Sequence, residues 1–141
     1  METRNIWNDV PAPLELHEDD RGRIVDVFYH QKIEHVAVID SNKGALRGNH
    51  YHKETVQHML MTKGAMEYWY KPVDAHGPAQ HIVVRAGDLV STPPLESHAL
   101  HILEADTQFV VFSTGRRGGK DYESDTYRVD SIFPKHYHDR K

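Results

Sequence analysis

The chain has 141 residues, 38% of them hydrophobic and 27% charged, with 12 histidines, no cysteine and a formal net charge of −4 with histidine neutral. That length fits a single domain spanning 1–141 with an ordinary core. The acidic balance argues against a nucleic-acid partner and no apolar run is long enough for a membrane span. The lack of cysteine excludes disulfides, thiolate catalysis and Cys-based zinc sites.

In chain order, the opening "METRNIWNDVPAP" lacks the apolar stretch of a signal peptide, which predicts a cytoplasmic protein. Residues 1–14 are polar and are expected on the outside or crossing to a partner subunit. Short strands are predicted next: "RIVDVFYH" (23–30), "HVAVID" (35–40), "VQHMLMTKG" (56–64), "AMEYWYKP" (65–72), "AQHIVVRAG" (79–87), "DLVSTPP" (88–94), "SHALHILEA" (97–105) and "TQFVVFSTG" (107–115). Turn residues such as "DSNKG", "DAHGP" and "TPPLES" separate them. No segment sustains a 3.6-residue apolar period, so helix is expected only as a turn or two near the termini. Many short strands at this spacing imply a sandwich or barrel. Residues 116–141 form a polar tail. In it Arg116, Arg117 and Lys120 sit among glycines as a phosphate-holding or solvated loop, and "DYESD" (121–125) is a surface segment or a clasp onto that loop. A homodimer is expected, with Trp7 and Phe133, isolated aromatics in polar segments, as its anchors.

Histidine placement carries the chemistry. Twelve histidines scattered at random would give about one H-x-H triplet, and there are two: His50-Tyr51-His52 in "GNHYHKETVQHMLMTKG" and His136-Tyr137-His138 in the tail. The triplet alone therefore proves nothing, and the tail copy serves as an internal control. Residues 136–141 are expected to be dispensable for the fold and for any metal. If the first triplet is on a strand, His50 and His52 share a face, and Gln57 shares one with Met59 and Met61. His58 and His101 then turn away from Gln57 and His98, toward an outer or interface surface. His30 and His35 are candidates for a pocket rim. Tyr68, Trp69 and Tyr70 suit core packing or a stacking wall for a ring. Glu96 and Ser97 are candidates to orient His98.

The spacing G-x5-H-x-H-x4-Q-x6-G from Gly44, followed by G-x5-P-x4-H from Gly87, resembles the paired motifs of the cupin family over roughly residues 20–115. It departs from them at Gln57, where Glu is more common, at Leu95 and at Ile102. The resemblance implies an all-β fold, the cupin double-stranded β-helix or jelly-roll sandwich. It also implies convergence of His50, His52, Gln57 and His98 inside the barrel. Three imidazoles and an amide suit a divalent ion such as zinc, iron, manganese or nickel, and the alternative is a metal-free polar pocket.

Within the cupins, "LRGNHYHKETVQ" resembles the R-G-x-H-x-H-K-x3-Q stretch of the sugar-nucleotide 3,4-ketoisomerases. "HEDDRGRIVDVF" (17–28) and "DYESDTYRVDSIF" (121–133) resemble that family's opening and its acidic C-terminal signature. This implies an isomerase or epimerase acting on a nucleotide-linked keto-sugar, with His50 and His52 as proton carriers and Arg47 orienting sugar or phosphate. That family's paired aromatics are replaced here by Ala37 and Val38, so a substitute phenol at Tyr68 or Tyr70, or a different substrate, is expected. The alternatives are a metal-dependent dioxygenase or lyase on a small organic substrate, and a non-catalytic small-molecule-binding cupin.

Overall fold

The computed structural model describes residues 1–115 and 124–140, without the side chains of 138–140. Arg116, Arg117, Lys120 and most of "DYESD" therefore lie outside the described residues. Twelve strands follow in order: β1 (Glu2–Asn5), β2 (Leu16–Asp19), β3 (Gly22–Val25), β4 (His35–Ser41), β5 (Leu46–Tyr51), β6 (Gln57–Lys63), β7 (Ala65–Pro72), β8 (Gln80–Arg85), β9 (Asp88–Thr92), β10 (Glu96–Ile102), β11 (Thr107–Ser113) and β12 (Tyr127–Arg128). A 3-10 turn spans Lys135–Arg140. No helix among the described residues is long and apolar enough to cross a membrane.

Two antiparallel five-stranded sheets make the sandwich. The first runs β1-β9-β6-β11-β4, the second β12-β5-β10-β7-β8, and β2-β3 form a separate hairpin. Period-two alternation assigns the inner faces. On β6, Gln57, Met59 and Met61 are buried, and on β11 so are Thr107, Phe109, Val111 and Ser113. The core draws on both sheets, with Met59, Met61, Val90, Phe109 and Val111 meeting Met66, Tyr68, Val84, Leu100 and Ile102. Side chains interdigitating between two such faces hold a β-sandwich together. Gly64 makes the β6–β7 turn at φ +78°, where a Cβ would collide with Thr107.

Several expectations need correction. The opening segment does not lie apart: β1 pairs with β9 of its own chain, and Ile6 is buried at 6% exposure. An edge strand keeps one face in solvent, so its sequence is polar without being detached. The strand expected over 23–30 stops at Val25. Phe28 instead lies on the outside of the first sheet, 4.9 Å from the rings of both His58 and Phe112. Strands β1, β2, β5 and β12 carry too little apolar alternation to stand out in the sequence. Phe133 is also used within the chain. It packs with Tyr137 over Trp69 and Ala99, on the outer face of the second sheet.

Candidate functional site

A backbone irregularity aims the first triplet. On β5, Gly48 (φ +93°) and Asn49 (φ +58°) both adopt left-handed conformations. The β5–β10 register shifts between the pairs His98–His50 and Ala99–Gly48, so Asn49 is the extra residue of a bulge. Bulges bend a strand and re-aim its side chains. A Cβ at Gly48 would sit 2.7 Å from the His98 carbonyl oxygen, so only glycine lets the two strands approach there. Asn49 also ties down the C-terminal segment: its carbonyl accepts from the Val129 amide at 2.9 Å, and its Oδ1 from the Ile132 amide at 2.9 Å.

Beyond this bulge His50, His52 and His98 converge, with their ligating nitrogens all within 4.8 Å of one another. Ring centroids are 5.1 Å apart for His50–His52, 4.7 Å for His50–His98 and 5.4 Å for His52–His98. His52 and His98 are buried, at 5% and 2% exposure. The His52 Nδ1 is 2.7 Å from the Asp125 carbonyl oxygen. A carbonyl only accepts, so Nδ1 carries the proton and the neutral ring presents a lone pair at Nε2. That Nε2 is buried and has no hydrogen-bond partner among the described residues. His98 Nδ1 lies 3.2 Å from the Glu96 carbonyl oxygen, so Glu96 does orient His98, through its backbone.

Asp125 fixes this end of the barrel twice. Its backbone holds His52, and its carboxylate accepts the amides of Lys53 (2.8 Å), Glu54 (3.0 Å) and Thr55 (2.8 Å). Burial pushes the Asp125 carboxyl up, but these hydrogen bonds outweigh it and hold the group below the usual carboxylate range. The acidic stretch is thus, at Asp125, a clasp onto the histidine loop. Sequence reasoning missed this role, and also Arg128, which β12 carries to the site beside His50.

A cavity of about 280 Å³ opens against the cluster. Its polar lining is Arg47, Gly48, His50, Gln57, His98 and Arg128, and its apolar wall includes Ile39, Met59, Leu100, Phe109 and Val111. Arg47 and Arg128 are exposed, and Arg47 Nε donates to Ser41 Oγ at 2.8 Å. Neither Tyr68 nor Tyr70 lines this cavity. The Tyr68 hydroxyl is 2.5 Å from Thr92 Oγ1, and burial pushes its phenol well above the ordinary tyrosine range. It is a core residue rather than a substitute phenol. His58 and His101 face outward, against Ser91 and Glu67. Burial, with Arg4 nearby, pushes His58 below the ordinary imidazole range.

Two facing antiparallel sheets with histidines converging inside define a cupin jelly roll. Residues 17–127 match the family model described as Polysaccharide biosynthesis C-terminal domain, and the chain belongs to that family. No curated protein matches it. Among solved structures it is similar to a mutant of the 3,4-ketoisomerase QdtA from Thermoanaerobacterium thermosaccharolyticum in complex with TDP-4-keto-6-deoxyglucose, at 17% identity and TM-score 0.66, over 82% of this chain and 83% of that one. It is similar to ChmJ, a 3'-monoepimerase from Streptomyces bikiniensis in complex with dTDP-quinovose, at 20% identity and TM-score 0.69, over 83% of this chain and 67% of that one. It is also similar to the capsular polysaccharide assembling protein CapF from Staphylococcus aureus, at 22% identity and TM-score 0.61, over 84% of this chain and 35% of CapF. At these identities the likeness is one of fold.

Proposed function

We propose that the chain is an isomerase or epimerase of a nucleotide-linked keto-sugar, working by proton transfer at the carbon beside the ketone. The observation that carries this reading is the convergence of three imidazoles beside a cavity that also presents two guanidinium groups: His50 and His98 line it, and His52, its tautomer fixed, is buried next to them. The family's description and the TDP-sugar ligands of QdtA and ChmJ support that substrate class.

In this scheme the His52 Nε2 lone pair takes the proton, and the electron pair moves onto the carbonyl oxygen to give an enediolate. His50 returns a proton, either to the former carbonyl carbon, while the proton of the neighbouring hydroxyl passes to the former carbonyl oxygen (ketoisomerisation), or to the opposite face of the carbon that lost it (epimerisation). Arg47 steadies the developing negative charge. At about 280 Å³ the cavity is at the small end for a ligand pocket. A sugar ring fills it, and the charged nucleotide stays at the exposed arginines. Incubation with TDP-4-keto-6-deoxyglucose, followed by NMR of the products, tests the reading. A 3-keto product or a 3-epimer supports it, and recovery of unchanged sugar with no nucleotide binding refutes it.

A second reading uses the same nitrogens. We propose His50, His52, Gln57 and His98 as the ligand set for a divalent ion: zinc, iron, manganese or nickel. The close approach of three imidazoles and the unpartnered buried His52 Nε2 fit such an ion. An ion bound there would polarise a substrate carbonyl. All four ligands are neutral, which weakens the hold on hard cations. Elemental analysis separates the readings: a full equivalent of metal, lost in His52→Ala, commits these imidazoles as ligands rather than proton carriers.

We also propose a homodimer. Among the described residues, edge strand β4 pairs only with β11 and leaves Val36 and Val38 56% and 63% exposed, an apolar strip suited to a second subunit. Light scattering at micromolar concentration tests it, and a monomeric mass contradicts it.

A further inference from the structure

Gln57 opens β6, and period-two alternation turns its side chain inward with those of Met59 and Met61. The register sets it in a cross-strand row with Thr92 on β9 and Ser113 on β11, and Ser113 pairs in turn with His35 on β4. Directly opposed side chains in such a row have Cβ atoms about 5 Å apart. None of these neighbours is bonded to the Gln57 amide: the Thr92 hydroxyl is paired with Tyr68, and Ser113 Oγ and His35 Nδ1 have no partner among the described residues. Gln57 is only 3% exposed and its side chain makes no hydrogen bond with a described residue. Unlike Ser113 Oγ and His35 Nδ1, its amide is not sealed from solvent, and Gln57 lines the cavity. The backbone before it is fixed. Asp125 holds the amides of Lys53, Glu54 and Thr55, and the Val56 amide donates to Thr114 Oγ1 at 3.1 Å. A side chain rooted in this way loses little freedom when a ligand arrives.

We propose that Gln57 is a specificity residue for the sugar ring, its carboxamide donating to and accepting from ring hydroxyls inside the cavity. A carboxamide carries two N–H donors and an acceptor oxygen. A hydroxyl also donates and accepts, and so matches both ends. A phosphate only accepts, and would set its charge against the Oε1 lone pairs. Burial agrees with this orientation: Arg47 and Arg128 are exposed, whereas Gln57 and His98 are buried. The anionic part of the ligand stays at the arginines, and the neutral ring reaches the amide. Met59, Phe109 and Val111 make the wall around it apolar. A ring lacking the hydroxyl therefore leaves the amide desolvated without a partner, which selects against it. The proposal rests on the nucleotide-sugar reading. It assigns the amide to the sugar rather than to an ion, which would engage Oε1 alone.

The test uses dTDP and dTDP-quinovose, whose C4 hydroxyl replaces the ketone so that it binds without reacting. Calorimetry gives the extra affinity for dTDP-quinovose over dTDP in the wild type, in Gln57→Met and in the isosteric Gln57→Glu. Methionine suits this face of β6, which already carries Met59 and Met61. Because the ratio is taken within each variant, a charge effect on the diphosphate cancels. Gln57→Met should bind dTDP as the wild type does and lose about tenfold of the extra affinity, as for a lost hydrogen bond. Gln57→Glu accepts but cannot donate, and should also lose part of it. A preference preserved in Gln57→Met, or in Gln57→Glu should the methionine variant not fold, overturns the proposal alone. A wild type with no preference for dTDP-quinovose refutes the nucleotide-sugar reading and this proposal with it. A full equivalent of metal in the wild type that Gln57→Met loses shows that the amide is an ion ligand, and also overturns the proposal.

Discussion

The chain contains the triplet His-Tyr-His twice, and the two copies are built in opposite senses. At residues 50–52 the histidines turn into the barrel, while Tyr51 faces away and stacks on Tyr127 at 5.3 Å. At residues 136–138 the tyrosine turns in. Tyr137 is 6% exposed, stacks on Phe133 at 5.3 Å and donates to Glu67 Oε1 at 2.5 Å, while His136 is exposed. Identical triplets thus point opposite residues inward, because one ends a bulged strand and the other sits in a 3-10 turn. The first gathers reactive groups and the second fastens the segment that carries Asp125 and Arg128.

Substitutions at matched positions sharpen this contrast. The largest effects belong to the first triplet. His50→Ala or His52→Ala should lower turnover of a nucleotide-linked 4-ketosugar by about 10²–10⁴-fold, the usual contribution of a positioned acid or base. The same change at His136 should leave turnover unchanged. Equal losses at both triplets would show that the inward cluster is not the reactive one.

Stability should follow the reverse pattern. Tyr137→Ala removes a buried ring and should cost about 3 kcal/mol in denaturant unfolding, whereas Tyr137→Phe, which removes only the hydroxyl, should cost about 1 kcal/mol. Deleting residues 136–141 should therefore weaken the fold, contrary to the expectation drawn from the polarity of the tail. An unchanged unfolding midpoint in Tyr137→Ala would mean that the turn does not hold the strap.

Asp125→Ala should cost about 2 kcal/mol, since a carboxylate bonded to three amides is lost. The pH dependence has a definite sign. The carboxyl is held below its ordinary value in the folded protein, so its contribution is present above about pH 4 and is lost as pH falls through the folded value. Asp125→Asn should make the acid limb of the stability curve shallower. Some of that limb should survive, because Glu67 is also lowered: burial raises it, but Tyr137 and His101 more than offset that. An acid limb identical to wild type would show that the clasp does not depend on the charge of Asp125. The smallest effect is expected at His136→Ala, within about 0.5 kcal/mol of wild type, as for an exposed side chain with no special role. A loss above 1 kcal/mol there would blur the contrast between the triplets.

The strands with strong alternation were legible. Residues 65–72 form β7 as expected, and β6, β9, β10 and β11 differ from expectation only at their ends. The convergence of His50, His52 and His98 was reachable through the resemblance of the two motifs to those of the cupins, which implies it. What stayed hidden depends on contacts between distant parts of the chain. The link from Asp125 to His52 spans 73 residues, and nothing local to "DYESD" says which backbone amides it will cap. From sequence, Trp69 suits core packing or a stacking wall, and Phe133 an interface anchor; the link between them is not visible. They are two sides of one cluster, formed when the tail folds back over β7 and β10, so Trp69 packs as the first reading has it and Phe133 is used within the chain. The row containing His35 and Ser113 exists only once β4, β11 and β6 are in register, so neither residue could be linked to Gln57 from sequence.

The most direct test of the central claim is solvent exchange. Protein is incubated with TDP-4-keto-6-deoxyglucose in deuterated water, and the recovered sugar is read by NMR. Both isomerisation toward C3 and epimerisation at C3 begin with removal of the C3 proton. Enzyme-dependent deuterium is expected at C3 of the recovered sugar, lost in His52→Ala and retained in His136→Ala. Absence of exchange in folded wild-type protein that binds the nucleotide sugar would contradict that claim.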